Sequence, residues 1–404
     1  MAGVRAVRGF AETPLVLGYH PHFTTNPYQS LLYSRARDHG IVPVAIDQLH
    51  QLAELGALQR AGLATVLHLH WLHLVLRDAS SATDAERRAA RFLHEVDAYR
   101  AAGGRLVWTV HNILPHESQF EAAEARLSDA VAQRSDVVHV LAAGTPEYVA
   151  PYFTLPPQRV LHVPHPSYDG AYEDHIPRLE SRHQLGLLPD DFVFCVVGAM
   201  RPYKGLGWLL DVWQSLSQER PMRLVLAGAP SEDPGMEAFL ERAALDPSVL
   251  IDARKIPAPE MQLFMRSADV AILPYLRSLN SGALLLALTF GLPVIVPAGG
   301  GLAEIVDEAF ARTVEPGDAD GLRRAISTAP TWASPAAHAA ARARADAFAP
   351  AIVSEQFAVE LRARLMGGSP PPARSAAPAG ARSRRGRRSA CASLGDPVAP
   401  EAAT

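Results

Sequence analysis

The chain of 404 residues is too long for one compact core and predicts at least two domains. Hydrophobic residues make up 48 % of it and charged residues 20 %, which is typical of a soluble globular protein, and the net charge is only −4. The two cysteines, Cys195 and Cys391, exclude a disulfide framework and favour a reducing, cytoplasmic location.

Residues 1–14 lack the apolar core of a secretory signal, so we expect a flexible N-terminus there. One later segment, residues 278–303, has no charged side chain and resembles a membrane span in composition. Because Gly291 and Pro293 interrupt it, a helix, a turn and a buried strand are the better interpretation.

Short apolar strands alternate with helical stretches along most of the chain. The predicted strands are residues 15–17, 41–46, 65–69, 105–110, 137–141, 160–163, 192–197, 223–227, 249–252, 270–273 and 293–297. This alternation predicts α/β architecture with parallel sheets covered on both faces. Two such series predict two Rossmann-like, doubly wound domains.

The predicted organisation follows from the two series and from changes in composition. The predicted segments are a flexible N-terminus (1–14), an N-terminal domain (15–170), an interdomain linker (171–190), a C-terminal domain (191–350), a last helix (351–366) and a disordered basic tail (367–404).

Arg201 and Lys204 follow the first strand of the second series and precede a helix. In open parallel sheets the ligand lies beyond the carboxyl ends of the strands. A helix N-terminus there favours an anion, and a guanidinium with an ammonium suits a diphosphate. Two cations that solvate a surface loop remain the alternative.

Asn280, Ser281 and Gly282 form a small polar turn that follows a later strand and opens another helix. Ser281 could cap this helix, and Gly282 could let a phosphate approach the backbone. An ordinary N-cap would explain the turn by itself. Two helix N-termini that face one crevice, one of them with Arg and Lys, favour a phosphate site.

The tail at residues 367–404 is rich in Pro, Ala, Ser and Arg and has few large apolar side chains, which predicts disorder. Its arginines could contact anionic lipid or nucleic acid. A solvated tail is the favoured interpretation, and no nucleic-acid partner is expected.

Several stretches carry a family resemblance. GAMRPYKGLGWLLDVW, SADVAILPYLRSLNSGALLLALTFGLPVIVP and GGGLAEIV resemble the donor-binding domain of GT-B glycosyltransferases of the broad family 4 type. TNPYQSLLYSRARDHGI, VLHLHWLHLVLR, VWTVHNILPHES and SDVVHVLAAGTPEYV are most similar to bacterial mannosyltransferases of xanthan-type exopolysaccharide assembly. Those enzymes use GDP-mannose and a lipid-linked acceptor. The resemblance implies a GT-B fold, whose two domains face a central cleft.

The resemblance also implies roles for the matching residues. Arg201 and Lys204 would bind the donor diphosphate, with Asn280, Ser281 and Gly282 beside the same phosphates and the donor sugar.

Asn26, in a loop after the first strand, would donate hydrogen bonds to the same phosphates. Many family 4 enzymes carry two glutamates whose matching positions here are Ser278 and Leu286. Their absence argues against a retaining mechanism and fits the inverting mannosyltransferase branch.

An inverting transfer needs a base that takes the proton of the acceptor hydroxyl. His111 and Glu117, both in the N-terminal half, are the candidates for this catalytic role. His111 could instead be a structural histidine bonded to backbone, and Glu117 could only cap the next helix.

Histidines are frequent in the first half, but no nearby set of carboxylates completes a metal site. The resemblance implies that helix dipoles and cations neutralise the leaving diphosphate instead. We therefore expect no metal and no cofactor apart from the nucleotide-sugar co-substrate.

The expected function is transfer of a sugar, by resemblance mannose from GDP-mannose, to a polyprenyl-linked or other glycan acceptor. The enzyme would be cytoplasmic, with peripheral attachment to the inner face of the cell membrane. A sugar-nucleotide epimerase, a phosphorylase, and a non-catalytic nucleotide-sugar-binding protein remain the alternatives.

Overall fold

The computed structural model describes residues 14–113, 120–216, 222–276 and 278–367. Within these ranges the chain forms two parallel six-stranded sheets, one from each half. Glu117, residues 1–13 and residues 368–404, which hold nearly all of the predicted tail, lie outside the described residues.

The first sheet is built from the N-terminal half. Its strands are β1 (Leu15–His20), β2 (Ile41–Ala45), β3 (Thr65–Leu69), β4 (Arg105–Val110), β5 (Val137–Val140) and β6 (Val160–His162). They pair in parallel in the order β2-β1-β3-β4-β5-β6. The helices of this half are α1 (Tyr28–Leu32), α2 (Leu52–Arg60), α3 (His73–Leu76), α4 (Ala82–Ala101), α5 (Glu121–Arg134) and α6 (Thr145–Val149).

The second sheet is built from the C-terminal half. Its strands are β7 (Phe192–Val197), β8 (Met222–Ala227), β9 (Val249–Asp252), β10 (Val270–Ile272), β11 (Val294–Pro297) and β12 (Ala311–Val314), in the parallel order β12-β11-β10-β7-β8-β9. The helices are α7 (Arg178–Gln184), α8 (Leu206–Gln214), α9 (Pro234–Ala244), α10 (Met261–Ser267), α11 (Gly282–Thr289), α12 (Gly300–Ala303), α13 (Ala319–Ser327), α14 (Ala329–Trp332), α15 (Pro335–Ala347) and α16 (Pro350–Met366). Of the helices in the described ranges, none combines the length and the apolar character needed to cross a membrane.

The strands are apolar because helices cover both faces of each sheet. In β7, Val193 and Cys195 face one core cluster, whereas Phe194 and Val196 face another. Strands of the first sheet likewise contribute to two separate clusters. The predicted doubly wound α/β class is therefore confirmed.

In each sheet the strand order reverses beside the first strand, which leaves a crevice at the carboxyl edge. The reversal lies between β1 and β3 in the first sheet and between β7 and β10 in the second. Residues that follow these four strands are therefore placed to line a ligand site.

The chain crosses between the two halves twice, and the two crossings lie side by side. The backbone N–H of Ser167, in the first crossing, donates to the carbonyl of Phe348, in the second, at 2.7 Å. After the second crossing, α16 returns to the first sheet, where Val353 and Phe357 join its core.

A buried ion pair attaches α7 to the second sheet. Arg182 is 2 % exposed and donates to the carboxylate of Asp269 at 2.8 Å. That carboxylate also accepts from the backbone N–H of Val193 at 2.8 Å and pairs with Arg178. The segment predicted as a linker thus contains a helix that packs on the C-terminal half.

We expect Asp269→Ala to lower the free energy of unfolding by about 3–5 kcal/mol, because it leaves the Arg182 guanidinium buried without its counter-charge. Urea unfolding followed by circular dichroism measures this loss. Asp38→Ala is the control, since Asp38 pairs with Arg35 on the surface at 3.3 Å and should change stability by about 1 kcal/mol or less. Equal losses in the two variants would contradict the structural role of the buried pair.

Candidate functional site

The turn after β7 brings a cation to the crevice of the second sheet. Arg201 is followed by a short 3₁₀ turn, Pro202–Lys204, and by Gly205, which is the N-cap residue of α8. Gly205 has φ +67°, and a Cβ there would lie 2.1 Å from the carbonyl oxygen of Pro274. Only glycine allows this contact, which holds the N-terminus of α8 against the segment that follows β10.

Lys204 is buried, with 7 % of its surface exposed. Its Nζ lies 5.7 Å from the centre of the Tyr275 ring, within reach of a cation–π interaction. Burial, and then the charge of Arg201, lower the pKa of Lys204 to about 8, so the ammonium is still charged at neutral pH. This burial argues against the solvated-loop alternative.

Lys204 forms no ion pair within the described part of the chain. A buried cation without a counter-charge is unfavourable by itself and attracts an anion. Its position beside the N-terminus of α8, at the reversal between β7 and β10, is the geometry of an anion site.

Ser281 caps α11, as one of the two interpretations of the sequence predicted. Its Oγ accepts from the backbone N–H of Leu284 at 3.3 Å and lies 3.4 Å from the hydroxyl of Tyr275. Gly282 packs against Tyr168, since a Cβ there would lie 2.4 Å from the Tyr168 hydroxyl, and a larger residue would displace that side chain. The phosphate-binding roles of Ser281 and Gly282 stay predictions.

Asn280 connects the two halves of the chain. Its side-chain amide donates to the backbone carbonyl of His111 at 2.7 Å. The backbone carbonyl of Asn280 accepts from the hydroxyl of Ser278 at 2.8 Å. Leu286 is buried in the core. The donor-binding role of Asn280 stays a prediction, and neither Ser278 nor Leu286 presents a carboxylate.

Asn26 follows β1 and lines a cavity of about 510 Å³ between the two halves. Its Oδ1 accepts from the backbone N–H of Tyr28 at 3.0 Å, which orients the loop. Lys255 and Ile256, after β9, line the same cavity from the C-terminal half. Loops from both halves thus face one cavity, and the predicted phosphate contact of Asn26 is untested.

His111 lies at the end of β4 and is 8 % exposed. Its Nε2 is 3.0 Å from Nδ1 of His70, and its ring stacks on Trp71 with 4.2 Å between centroids. Burial, and then the neighbouring histidines, hold the pKa of His111 well below 6.5, so the ring is neutral. Its ring bonds to another buried histidine, and the catalytic role of His111 stays a prediction beside the structural alternative.

A second cavity, of about 710 Å³, lies at the carboxyl edge of the first sheet. Trp71, which stacks on His111, forms part of its wall. Leu72 and Val75 add apolar surface, and the charged side chains of the wall are of both signs: Arg88, Arg91, Asp47 and Glu95. An amphipathic ligand would therefore fit beside His111.

Three residues of this region were not among the predicted site residues. Tyr275 connects Lys204 to Ser281, and Trp71 connects His111 to the second cavity. Glu304 accepts hydrogen bonds from the backbone N–H groups of Ala143 and Gly144, across the two halves. Their sequence signals were weak, because an aromatic after a strand and a lone glutamate occur in many folds.

Four of the predicted site residues, Lys204, Ser281, Asn280 and His111, are connected through neighbouring contacts. Asn26 lies apart from them at the cavity of about 510 Å³. The path runs from Lys204 through Tyr275 and Ser281 to Asn280, and from Asn280 to His111. Among the described residues, no cluster of His, Cys, Asp or Glu is placed to hold a metal ion.

Sequence comparison places the chain among glycosyltransferases. Residues 191–329 match the family described as Glycosyl transferases group 1. A GDP-mannose:glycolipid 4-beta-D-mannosyltransferase from Xanthomonas campestris pv. campestris is 32 % identical over 292 residues, which cover 71 % of this chain and 74 % of that protein. A D-inositol 3-phosphate glycosyltransferase from Paenarthrobacter aurescens is 28 % identical over 136 residues, 32 % of this chain and 33 % of that protein.

Structural comparison agrees. Anabaena Alr3699/HepE in complex with UDP superimposes with a TM-score of 0.62 at 14 % identity, over 87 % of this chain and 100 % of that one. Sucrose-phosphate synthase from Thermosynechococcus elongatus gives a TM-score of 0.66 at 17 % identity, over 88 % and 100 %. The likeness shows the fold alone, and this fold is GT-B, as the sequence motifs implied.

We expect the protein to lose stability as the pH falls below about 6.5, the ordinary pKa of histidine in an unfolded chain. Burial lowers the pKa of seven of the described histidines, namely His20, His68, His70, His111, His139, His165 and His338. Below pH 6.5 these histidines bind protons in the unfolded chain but stay neutral in the folded protein. Each one therefore lowers the free energy of unfolding by up to about 1.4 kcal/mol per pH unit. For His139 and His165 this continues to about pH 4.

Urea unfolding at pH 7.5 and 5.5, a range chosen to lie above most carboxylate titrations, measures this effect. His50→Gln is the control variant, since it replaces an exposed histidine and leaves every buried ring in place. An equal free energy of unfolding at the two pH values would show that the histidine rings are not held neutral.

Proposed function

The chain belongs to the glycosyltransferase family of its mannosyltransferase relative from Xanthomonas campestris, and we propose that it transfers mannose from GDP-mannose to a glycan carried by a lipid. The class of enzyme follows from the family. The choice of donor and acceptor is supported by the relative's name, which specifies GDP-mannose and a glycolipid. The observation that carries the proposal is the buried ammonium of Lys204 at the crevice of the second sheet, which has no ion-pair partner among the described residues.

The donor diphosphate would lie against Lys204 and the N-terminus of α8, with Arg201 beside it. Transfer breaks the bond between the anomeric carbon and the diphosphate oxygen, and the electron pair leaves with GDP. The charge that grows on this oxygen is stabilised by a cation already in place, without reorganisation of solvent. Burial makes the ammonium more effective, since little water screens it.

The acceptor hydroxyl would lose its proton to His111 while its oxygen bonds to the anomeric carbon, with inversion of configuration. A base must be unprotonated before the reaction, and burial, which lowers the pKa of His111, meets this condition. The same burial makes the ring a weaker base than a solvent-exposed histidine. The contact between Asn280 and the His111 carbonyl supports a short path from base to donor site.

The acceptor glycan would occupy the cavity of about 710 Å³ beside Trp71. Its apolar residues suit a lipid, and its charged side chains, Arg88, Arg91, Asp47 and Glu95, can bond the hydroxyl groups of a sugar. We place the reaction at the inner face of the cell membrane, to which a polyprenyl-linked acceptor would bring the protein.

Purified protein incubated with labelled GDP-mannose and a bacterial lipid extract tests the proposal. The expected result is a mannosylated lipid product and release of GDP in equal amounts. UDP-glucose with the same extract is the donor control. GDP-mannose binding without any transfer would contradict catalysis, and transfer from UDP-glucose alone would contradict the donor.

We expect Lys204→Met to lower kcat/KM, because the loss of a preorganised charge removes roughly 2–4 kcal/mol of transition-state stabilisation. Stability should be unchanged or higher, because an unpaired buried charge is replaced by an apolar side chain. Kinetics with GDP-mannose and the melting temperature measure the two effects.

The chain has one other lysine, Lys255, whose side chain is exposed on the cavity wall, and Lys255→Met is the matched control. It should change kcat/KM far less. A Lys204→Met protein that transfers mannose at the parent rate would remove the donor-site assignment.

We expect His111→Ala to lower kcat roughly a hundredfold or more, with donor affinity little changed, because the base acts on the acceptor. Single-turnover assays and GDP binding separate the two quantities. Glu117→Gln, at the other candidate base, is the comparison. If Glu117→Gln is the more damaging change, His111 is not the base.

We also propose that transfer needs no metal ion, since Lys204, Arg201 and a helix dipole are available to neutralise the diphosphate. Protein treated with a chelator and then desalted should keep the parent kcat. Loss of turnover that only a divalent cation restores would contradict this.

A further inference from the structure

A continuous path of hydrogen bonds begins at His111 and runs through the interior of the first sheet. Its members, which we call the histidine chain, are His111, His70, Tyr33, His68, Thr109, His139 and the backbone carbonyl of Val163. Successive polar atoms lie 2.7–3.0 Å apart, and every side chain in the path is buried. Polar groups rarely line up in a sheet core unless each is bonded to the next.

The last member fixes the direction of every hydrogen bond. The carbonyl of Val163 can only accept, so His139 carries its proton on Nε2 and offers Nδ1 as an acceptor. Thr109 must therefore donate to His139. The oxygen of Thr109 then accepts from Nε2 of His68.

The same logic continues through Tyr33. Its hydroxyl donates to Nδ1 of His68 and accepts from Nε2 of His70. Nδ1 of His70 is thus an acceptor, and His111 donates to it from Nε2. The neutral His111 ring is left with its lone pair on Nδ1.

The four rings are neutral, because burial lowers the pKa of each. Since the path as described ends on a carbonyl inside the protein, a proton that entered at His111 would leave a charge buried at His139. Such a charge is unfavourable, so orientation and not conduction is the physical effect of the path.

We propose that the histidine chain is a positioning device, which holds His111 in the Nε2–H tautomer so that Nδ1 can take the acceptor proton. Tyr33, His68, His70, Thr109 and His139 are then positioning residues, which act through His111 and touch no substrate. The use of Nδ1 in transfer rests on the proposed function, whereas the tautomer is a property of the resting protein.

Tyr33→Phe tests the proposal, because it removes the hydroxyl that joins His70 to His68 and keeps the ring. His70 then has no acceptor for its Nε2 proton, and both tautomers of His70, and hence of His111, become accessible. We expect ¹⁵N NMR of histidine-labelled protein to show Nδ1 of His111 unprotonated in the parent and partly protonated in the variant. The kcat should fall at least about twofold with KM for GDP-mannose unchanged, since an unbiased ring is competent half of the time.

Thr109→Val and Thr109→Ser form a matched pair at another point of the path. Valine has the shape of threonine without the hydroxyl and should reproduce the effects of Tyr33→Phe. Serine keeps the hydroxyl and should restore the parent tautomer and kcat. His111→Asn identifies the His111 signals in the spectrum.

A protonated Nδ1 on His111 in the parent would overturn the proposal. So would Tyr33→Phe and Thr109→Val proteins with the parent tautomer and the parent kcat. If His111→Ala transfers mannose at the parent rate, the base in the proposed function is wrong. The nitrogen shifts would still show whether the histidine chain sets the tautomer, so the two failures are distinguishable.

Discussion

In a parallel sheet covered on both faces, burying a polar group without a hydrogen-bond partner is unfavourable, and this constraint decides where polar side chains occur in the protein. In the second sheet β7 is apolar throughout, and the cations Arg201 and Lys204 lie beyond its carboxyl end. In the first sheet, polar residues such as His68 and Thr109 lie within strands, and each is bonded to the next. The same rule thus places two cations beyond the end of a strand in one half and produces an ordered hydrogen-bond path in the other.

Two buried cations of the C-terminal half, Arg182 and Lys204, differ in the group that faces their charge. Arg182 shares the carboxylate of Asp269 with a backbone N–H, so its charge is balanced and its contribution is to the fold. Lys204 is almost equally buried, but the aromatic face of Tyr275 is a weak substitute for a carboxylate. The burial of the Lys204 ammonium is therefore unfavourable for the stability of the protein.

The sequence predicted most strands, because both-face burial requires short, nearly continuous apolar runs. It missed β12, an edge strand whose half-buried Arg312 and exposed Thr313 break the apolar pattern. The crevice residues could be placed from the strand ends, but the burial of Lys204 depends on Tyr275, a contact between distant parts of the chain. The bond between Asn280 and His111 spans 169 positions, and no local pattern could have predicted it.

The side-by-side crossings at Ser167 and Phe348 limit how the two halves can move. A single flexible crossing would let one half rotate about any axis relative to the other. Two hydrogen-bonded crossings would act as a hinge, which favours rotation about one axis over twisting and sliding. Because the loops of Asn26 and Lys255 face each other across a cavity, that rotation changes the width of one gap. Substrate entry and product departure would then depend on a single coordinate, the opening angle of this hinge.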